Sequence, residues 1–536
     1  MSFDDKKSES SVAAVETIDD DDKELVAMGY KPSFKREFTN LATISFAFSI
    51  MGLCSSISTT FGTPFTTGGP ASVTWCWILG ACMCFTLGAS IAEIVSAYPT
   101  CGGLYTASAQ LTPKKYRAQV GWLVGWLNLL GQVAGISSTE YGLSTMILAA
   151  ANVGTDGAFQ VTPGKVVGLF AGLIIVHGLL NSMSTRYLAI VTKYFVFVNL
   201  GTTFVIIVCL LAKTPRGEMH PANYVFGSDG IINNTGGWNT GIAFLLGLLS
   251  VQWTMTDYDA TAHISEEVKR AAYAAPSAIF IAVIGTGLIG WLFNIVLVLC
   301  SGPYDRVAES ASPVLAILEY RLGKGGALAI WVFVCATAFF VVQTALHASS
   351  RTLYAFSRDH ALPDRGYFGK TSKRTLTPLR AIWLNTVVCI LPGLLDLASP
   401  IASQAVFSLT AMALDLSYII PIVCRRIFPN HPEVMFKPGP FYMGDGYLGW
   451  FCNITCVVWT LFICVIFALP TRLPVTSLNM NYASVITVGV IALAYVWYYA
   501  AARKHYVGPQ SNLHDKTVEA VTQDKETTKE SESSAS

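Results

Sequence analysis

Read from end to end, the chain alternates long apolar runs with short polar interruptions. A helix needs about 20 mostly apolar residues to cross the hydrocarbon of a membrane. Runs of that kind fall at 40–62, 72–97, 119–150, 165–182, 187–212, 240–263, 277–301, 326–350, 379–396, 402–424, 447–469 and 482–502. The pattern predicts an all-α polytopic membrane protein with twelve transmembrane helices in residues 39–503. The ninth run is short, and the third is long enough to include a tilted or interfacial portion. Residues 1–38 and 504–536 are polar and rich in Ser, Thr, Lys and acids, which predicts disordered cytosolic tails. The first of these has no apolar core of a leader peptide, so none is expected to be cleaved.

Composition agrees with the pattern. Of 536 residues, 52% are hydrophobic and only 13% charged, too little charge to cover a water-facing surface. A formal net charge of +1 gives no field for nucleic acid, so no nucleic-acid partner is expected. The 13 cysteines lie mostly inside apolar runs, where a thiol behaves as a small hydrophobe. No CxxC pair is coupled to another and no HExxH occurs, so neither a metal nor a cofactor is expected. No span gathers a nucleophile and its base, which argues against an enzyme.

Charge sets the orientation. With the N-terminus inside, the inner loops carry Lys114, Lys115, Arg117, Lys269, Arg270, Arg358, Arg365, Arg374, Arg425 and others, against a sparser outer set such as Lys213, Arg306 and Arg472. Basic residues favour the cytosolic side, so both termini are expected there. The sequon Asn233-Asn234-Thr235 then falls outside, making Asn233 a glycosylation candidate. Asn453-Ile454-Thr455 matches too, but within a span.

Two runs read as interrupted helices. The first holds Ser49-Ile-Met51-Gly52-Leu-Cys54-Ser55-Ser56-Ile-Ser58-Thr59-Thr60, where glycine and small hydroxyl residues lower helix propensity at mid-depth. The sixth holds Ser250-Val251-Gln252-Trp253-Thr254-Met255-Thr256-Asp257-Tyr258-Asp259, with two acids that cost about 2.5–3.5 kcal/mol each in lipid. Small residues also make helix-packing faces. However, spans one and six occupy corresponding places if spans one to five and six to ten are repeats, and paired interruptions point to a midplane binding site. That makes the chain a carrier for a small molecule.

Other polar residues have two readings each. Glu140 is either the counter-ion of an amine or an acid that snorkels to water. Asp259 and His263, four apart, can meet on one helix face as a proton relay or an inner-gate hydrogen bond. Glu93 is expected to pair with loop basics, and Glu266 and Glu267 to join Lys269 and Arg270 in a salt-bridge cluster. His177 and His347 read as packing histidines. Gln132 and Gln343 either line a pocket or hold helices together.

Four stretches resemble the amino acid–polyamine–organocation superfamily, and within it the fungal amino acid/choline (GABA permease) family. They are Glu93–Tyr105 with Pro99, Gly102 and Gly103, Gly131-Gln-Val-Ala-Gly135, Asp257-Tyr-Asp-Ala-Thr-Ala-His-Ile-Ser-Glu-Glu267, and Ser357-Arg-Asp-His-Ala-Leu-Pro363. The resemblance covers about residues 35–505. It implies a leucine-transporter-type fold, a 5+5 inverted repeat plus two peripheral helices, working as a secondary transporter. It implies a substrate pocket at Met51, Gly52, Leu53, Cys54 and Ser55 and at Val251, Gln252, Trp253, Thr254 and Thr256. The half-helix after Gly52 would aim its positive end at a carboxylate, and Trp253 would be a gate suited to an amine. Relatives often carry a coupling Lys or His in span five. Here that place falls on Asn199, with Lys193 nearby, so a proton is expected as the coupling ion without a residue to name for it. The implied cargo is GABA or a related amino acid, with choline, a polyamine, thiamine or a biotin precursor as alternatives, or a nutrient sensor without flux. The plasma membrane is the expected site, with the vacuolar membrane second and membrane lipid as the surrounding partner.

Overall fold

The computed structural model describes residues 20–397, 400–434, 436–477 and 479–509. Among them regular structure is entirely helical. Phe34–Pro509 form one bundle. The described residues before it hold a short helix, Asp20–Ala27, inside the segment read as a polar tail. Residues 1–19 and 510–536 of the expected tails lie outside the described residues. The bundle also runs past residue 503: the Tyr506 hydroxyl lies 3.2 Å from that of Tyr105, and its ring packs 5.1 Å from Trp122. A single anchoring aromatic adds nothing to a hydropathy run, which is why the run ends before it.

Every apolar run is helical. Spans two to five are Pro70–Ala97, Lys114–Gly154, Pro163–Asn181 and Phe195–Lys213. Spans seven to twelve are Ala271–Leu299, Pro313–Arg358, Leu379–Gly393, Pro400–Ile427, Tyr447–Ala468 and Ala483–Ala500. Span one is split into Asn40–Met51 and Leu53–Thr60, and span six into Thr240–Leu245, Leu248–Thr254 and Ala260–His263. Span eight outruns its apolar stretch because polar residues at its end, among them Arg351, Thr352 and Ser357, are buried against neighbours. Arg351, which ends the apolar run of span eight, is fully buried.

The outer faces are oily. Phe197 and Phe204 of span five, Val332 and Phe333 of span eight, Val458 and Val465 of span eleven, and Val488 and Leu493 of span twelve are all exposed. An apolar belt of this extent suits hydrocarbon, where helices also satisfy their own backbone groups. Inside the belt, span seven packs along span two and span ten along span three, with the broken spans one and six packed against these. Between spans two and three, Gly103 turns the chain into the short helix Gly103–Gln110 with φ +51°. A Cβ there would stand 2.8 Å from the His263 ring, so the close approach needs glycine.

Candidate functional site

The break in span one is a single residue. Gly52 adopts φ 52°, ψ 49°, a left-handed conformation that a Cβ makes costly. A Cβ at Gly52 would also fall 2.1 Å from Val341 Cγ2. The kink frees backbone groups, and side chains take them up. Ser55 Oγ donates to Gly52 O at 2.9 Å and Ser56 Oγ to Met51 O at 2.8 Å. Asn199 reaches in from span five, accepting from Cys54 N at 3.4 Å and donating to Phe48 O at 3.3 Å. The Cys54 thiol lies 3.2 Å from the Thr337 hydroxyl. The serines beside Gly52 are thus spent on the break and Cys54 N is held by Asn199, which leaves the N–H groups of Leu53 and Ser55 as its polar offering.

Span six opens more widely. Helix Leu248–Thr254 stops, Met255–Asp259 run non-helically with Asp257 at φ +59°, and the chain resumes at Ala260–His263. The halves of the two broken spans made by Leu53–Thr60 and Leu248–Thr254 are joined where the hydroxyls of Thr60 and Ser250 meet at 2.7 Å. Trp253 donates from Nε1 to Ser138 Oγ at 3.0 Å and lies 4.9 Å from Phe407. Val251 packs against Gly80 of span two. The Gln252 amide is used at both ends, donating to Asp415 at 2.6 Å and accepting from Trp459 at 3.1 Å, so it faces spans ten and eleven and offers nothing to a solute. Thr254 and Thr256 are buried, and their hydroxyls have no partner among the described residues.

A cavity of about 620 Å³ leads toward these breaks from one end of the bundle. Thr59, Thr60, Tyr141, Leu249 and Phe407 line it, together with Asn152, Ser312 and Asn481 near the connections after spans three, seven and eleven. Phe407, packed on Trp253, belongs to its wall.

The sequence profile described as amino acid permease matches residues 40–491. The chain is 45% identical to an uncharacterized amino-acid permease of Schizosaccharomyces pombe, over 93% of this chain and 91% of that one. The chain belongs to the amino acid permease family. It is also 33% identical to the GABA-specific permease of Saccharomyces cerevisiae, over 92% of this chain and 86% of that one. The fold matches the crystal structure of a manganese transporter from Eremococcus coleocola with a TM-score of 0.50 over 87% of this chain and 94% of that one, at 14% identity. At that identity the likeness concerns the fold alone: the permease has the leucine-transporter-type architecture.

At the end opposite the cavity, the permease is sealed by ion pairs. Glu267 binds Arg351 at 2.7 Å and His347 at 3.2 Å. Glu266 binds Arg358 at 3.4 Å, and Glu93 binds Arg425, which also reaches Asp445. Burial opposes the charge on Glu267, but Arg351 and His347 outweigh it and hold the carboxyl at about 2. The pairing expected for Glu266 and Glu267 is therefore corrected. Their partners come from span eight, while Lys269 and Arg270 point outward and are exposed. Beside the pairs, Phe38 N donates to Glu267 O and Lys269 N donates to Phe38 O, both at 3.0 Å.

Asp259 and His263 do meet, at 3.1 Å. Asp259 also receives the Tyr418 hydroxyl at 2.5 Å and the Asn128 amide at 3.1 Å. His263 Nδ1 faces Cys101 O, so that nitrogen must carry hydrogen. Its Nε2 faces the Asp259 carboxyl, so the ring bridges a backbone carbonyl and an acid. Glu140 is fully buried 3.3 Å from His177, whose Nδ1 lies 3.1 Å from Gln343. It reaches neither outside water nor the cavity, which removes the snorkelling alternative. Asn233 lies exposed on the 214–239 connection, its amide donating to Trp238 O.

Three residues of this network were not singled out from the sequence. Asp415, alone among apolar neighbours in span ten, was legible as an acid inside a span. Asn128 gave no such signal. Arg351 stands one residue past the apolar run 326–350, so hydropathy leaves it in a loop.

Proposed function

We propose that the permease is a secondary active carrier that imports a small amine-bearing solute by alternating access, with GABA or a related amino acid as cargo and the proton as coupling ion. The observation that carries this is the pair of breaks at Gly52 and Met255–Asp259, set between an open cavity at one end and an ion-paired seal at the other. A bundle open on one side only is one of the two states that alternating access requires.

The relative named a GABA-specific permease supports the substrate class. The N-terminal end of Leu53–Thr60 supports capture of a carboxylate, with Met51, Gly52, Leu53, Cys54 and Ser55 on one wall and Val251, Trp253, Thr254 and Thr256 on the other. The hydrogen-bonded contact between Asp259 and His263 supports proton handling beside the pocket. In this arrangement both termini are cytosolic, Asn233 is outside, and the protein works in the plasma membrane or, failing that, the vacuolar membrane.

Uptake of radiolabelled GABA, choline, thiamine and amino acids by a permease-deficient yeast tests the proposal under an imposed pH gradient. Accumulation abolished by an uncoupler is expected. Binding without accumulation would sink the transport reading, and accumulation indifferent to the uncoupler would sink the proton.

A further inference from the structure

Asp257 occupies the non-helical stretch of span six in a left-handed conformation, φ +59°, which is strained for a residue with a Cβ. Its carboxylate is buried to 8% exposure, and Oδ1 has no hydrogen-bond partner among the described residues. Among the described residues the charged group that acts on it is another acid, Asp259. Asp259, two residues on, is matched to His263, and Asp415 from span ten has only the neutral Gln252 on one oxygen and nothing on the other. An unpaired carboxylate at mid-depth is costly and marks a place where something positive belongs.

An independent observation comes from span three. Gln132 is 1% exposed, yet neither end of its amide has a partner. It lies between Asn128, which reaches Asp259, and Ser138, which accepts from Trp253. It therefore stands level with the stretch that holds Asp257, one turn from Asn128 on the same helix face. The hydroxyls of Thr254 and Thr256 are likewise buried and unpartnered. Orphaned buried polar groups are rare in folded proteins, and here several gather at one level.

We propose that Asp257 and Gln132 form the subsite for the ammonium group of the transported solute, below Trp253 on the side away from the cavity. This rests on the functional reading above. A carboxylate, an amide oxygen and hydroxyls accept the N–H groups of an ammonium. Trp253 and Phe407 then form the lid that must part before the amine arrives, and the indole face attracts the cation as it passes.

The test uses the full-length protein purified in detergent, with GABA and its deaminated analogue butyrate as probes in thermal-shift titrations, and Asp257→Asn and Gln132→Leu as variants. Wild type should respond to GABA and not to butyrate. Asp257→Asn should weaken the GABA response by about 10- to 100-fold, while the empty variant is at least as stable as wild type because an unpaired charge has gone. Gln132→Leu should weaken binding several-fold. If Asp257→Asn binds GABA as wild type does, or if its empty form is less stable, the subsite is overturned. A wild type that answers to no amine-bearing solute overturns the functional reading and the subsite together.

Discussion

Asn199 splints the break at Gly52, with its amide oxygen 3.4 Å from Cys54 N and its amide nitrogen 3.3 Å from Phe48 O. One side chain thus serves a donor just after the kink and an acceptor just before it. Asn199→Ala orphans the buried Cys54 N–H at about 1–3 kcal/mol, while Phe48 O keeps Gly52 N at 3.2 Å, so the melting temperature of the purified protein should fall by a few degrees. Because an amide does not titrate, the pH profile of whatever uptake remains should match that of wild type. A shifted profile would assign Asn199 a part in coupling.

Gly52→Ala combines a left-handed conformation, costing about 1–2 kcal/mol for alanine, with a clash against Val341. Uptake should drop at least about tenfold. Adding Val341→Ala relieves the clash but not the backbone cost, so the double variant should recover only part of the rate. Full recovery would mean that the left-handed geometry is dispensable.

Trp253 contributes a ring and an N–H, and two variants separate them. Trp253→Phe loses the bond to Ser138 Oγ but keeps an aromatic face toward Phe407; it should cost a few-fold in uptake, and Ser138→Ala should cost about the same. The pair together should be no worse than either alone. Trp253→Ala should be far more harmful. Equal uptake by all four variants would remove Trp253 from the transport path.

The seal makes a prediction about pairing. Arg351→Ala leaves the buried Glu267 carboxylate without its main partner, a change worth about 3–5 kcal/mol. Arg351→Met combined with Glu267→Gln should be markedly milder than Arg351→Ala alone when thermal stability is compared. Similar losses in both would show that packing, and not charge, sets the cost.

The same pair carries a pH dependence. Glu267 titrates at about 2 in the folded protein against an ordinary value of 4.5. Its ion pair is therefore fully stabilising above about pH 4.5, and that contribution is lost as the pH falls toward 2. The stability gap between wild type and Glu267→Gln should be constant above pH 4.5 and narrow below it. A gap that widened on acidification would overturn the assignment.

Hydropathy made the spans legible because each must bury about 20 residues of apolar length, and the glycine at 52 and the acids at 257 and 259 marked the two breaks. What stayed hidden depends on which faces meet. Nothing in the run around Arg351 says that Glu267 will bury it. Glu140 sits among small and hydroxyl residues, and only the approach of His177 shows that it points away from the cavity. Ser55 and Ser56 look like ligands in sequence, yet the kink beside them claims their hydroxyls.

The backbone hydrogen bonds at Phe38 join the residues before span one to the turn after span six. Neither broken helix can swing away from the sealed end without breaking bonds held by the other. The two broken spans are thus fastened to each other at the sealed end, and parting them there costs both bonds.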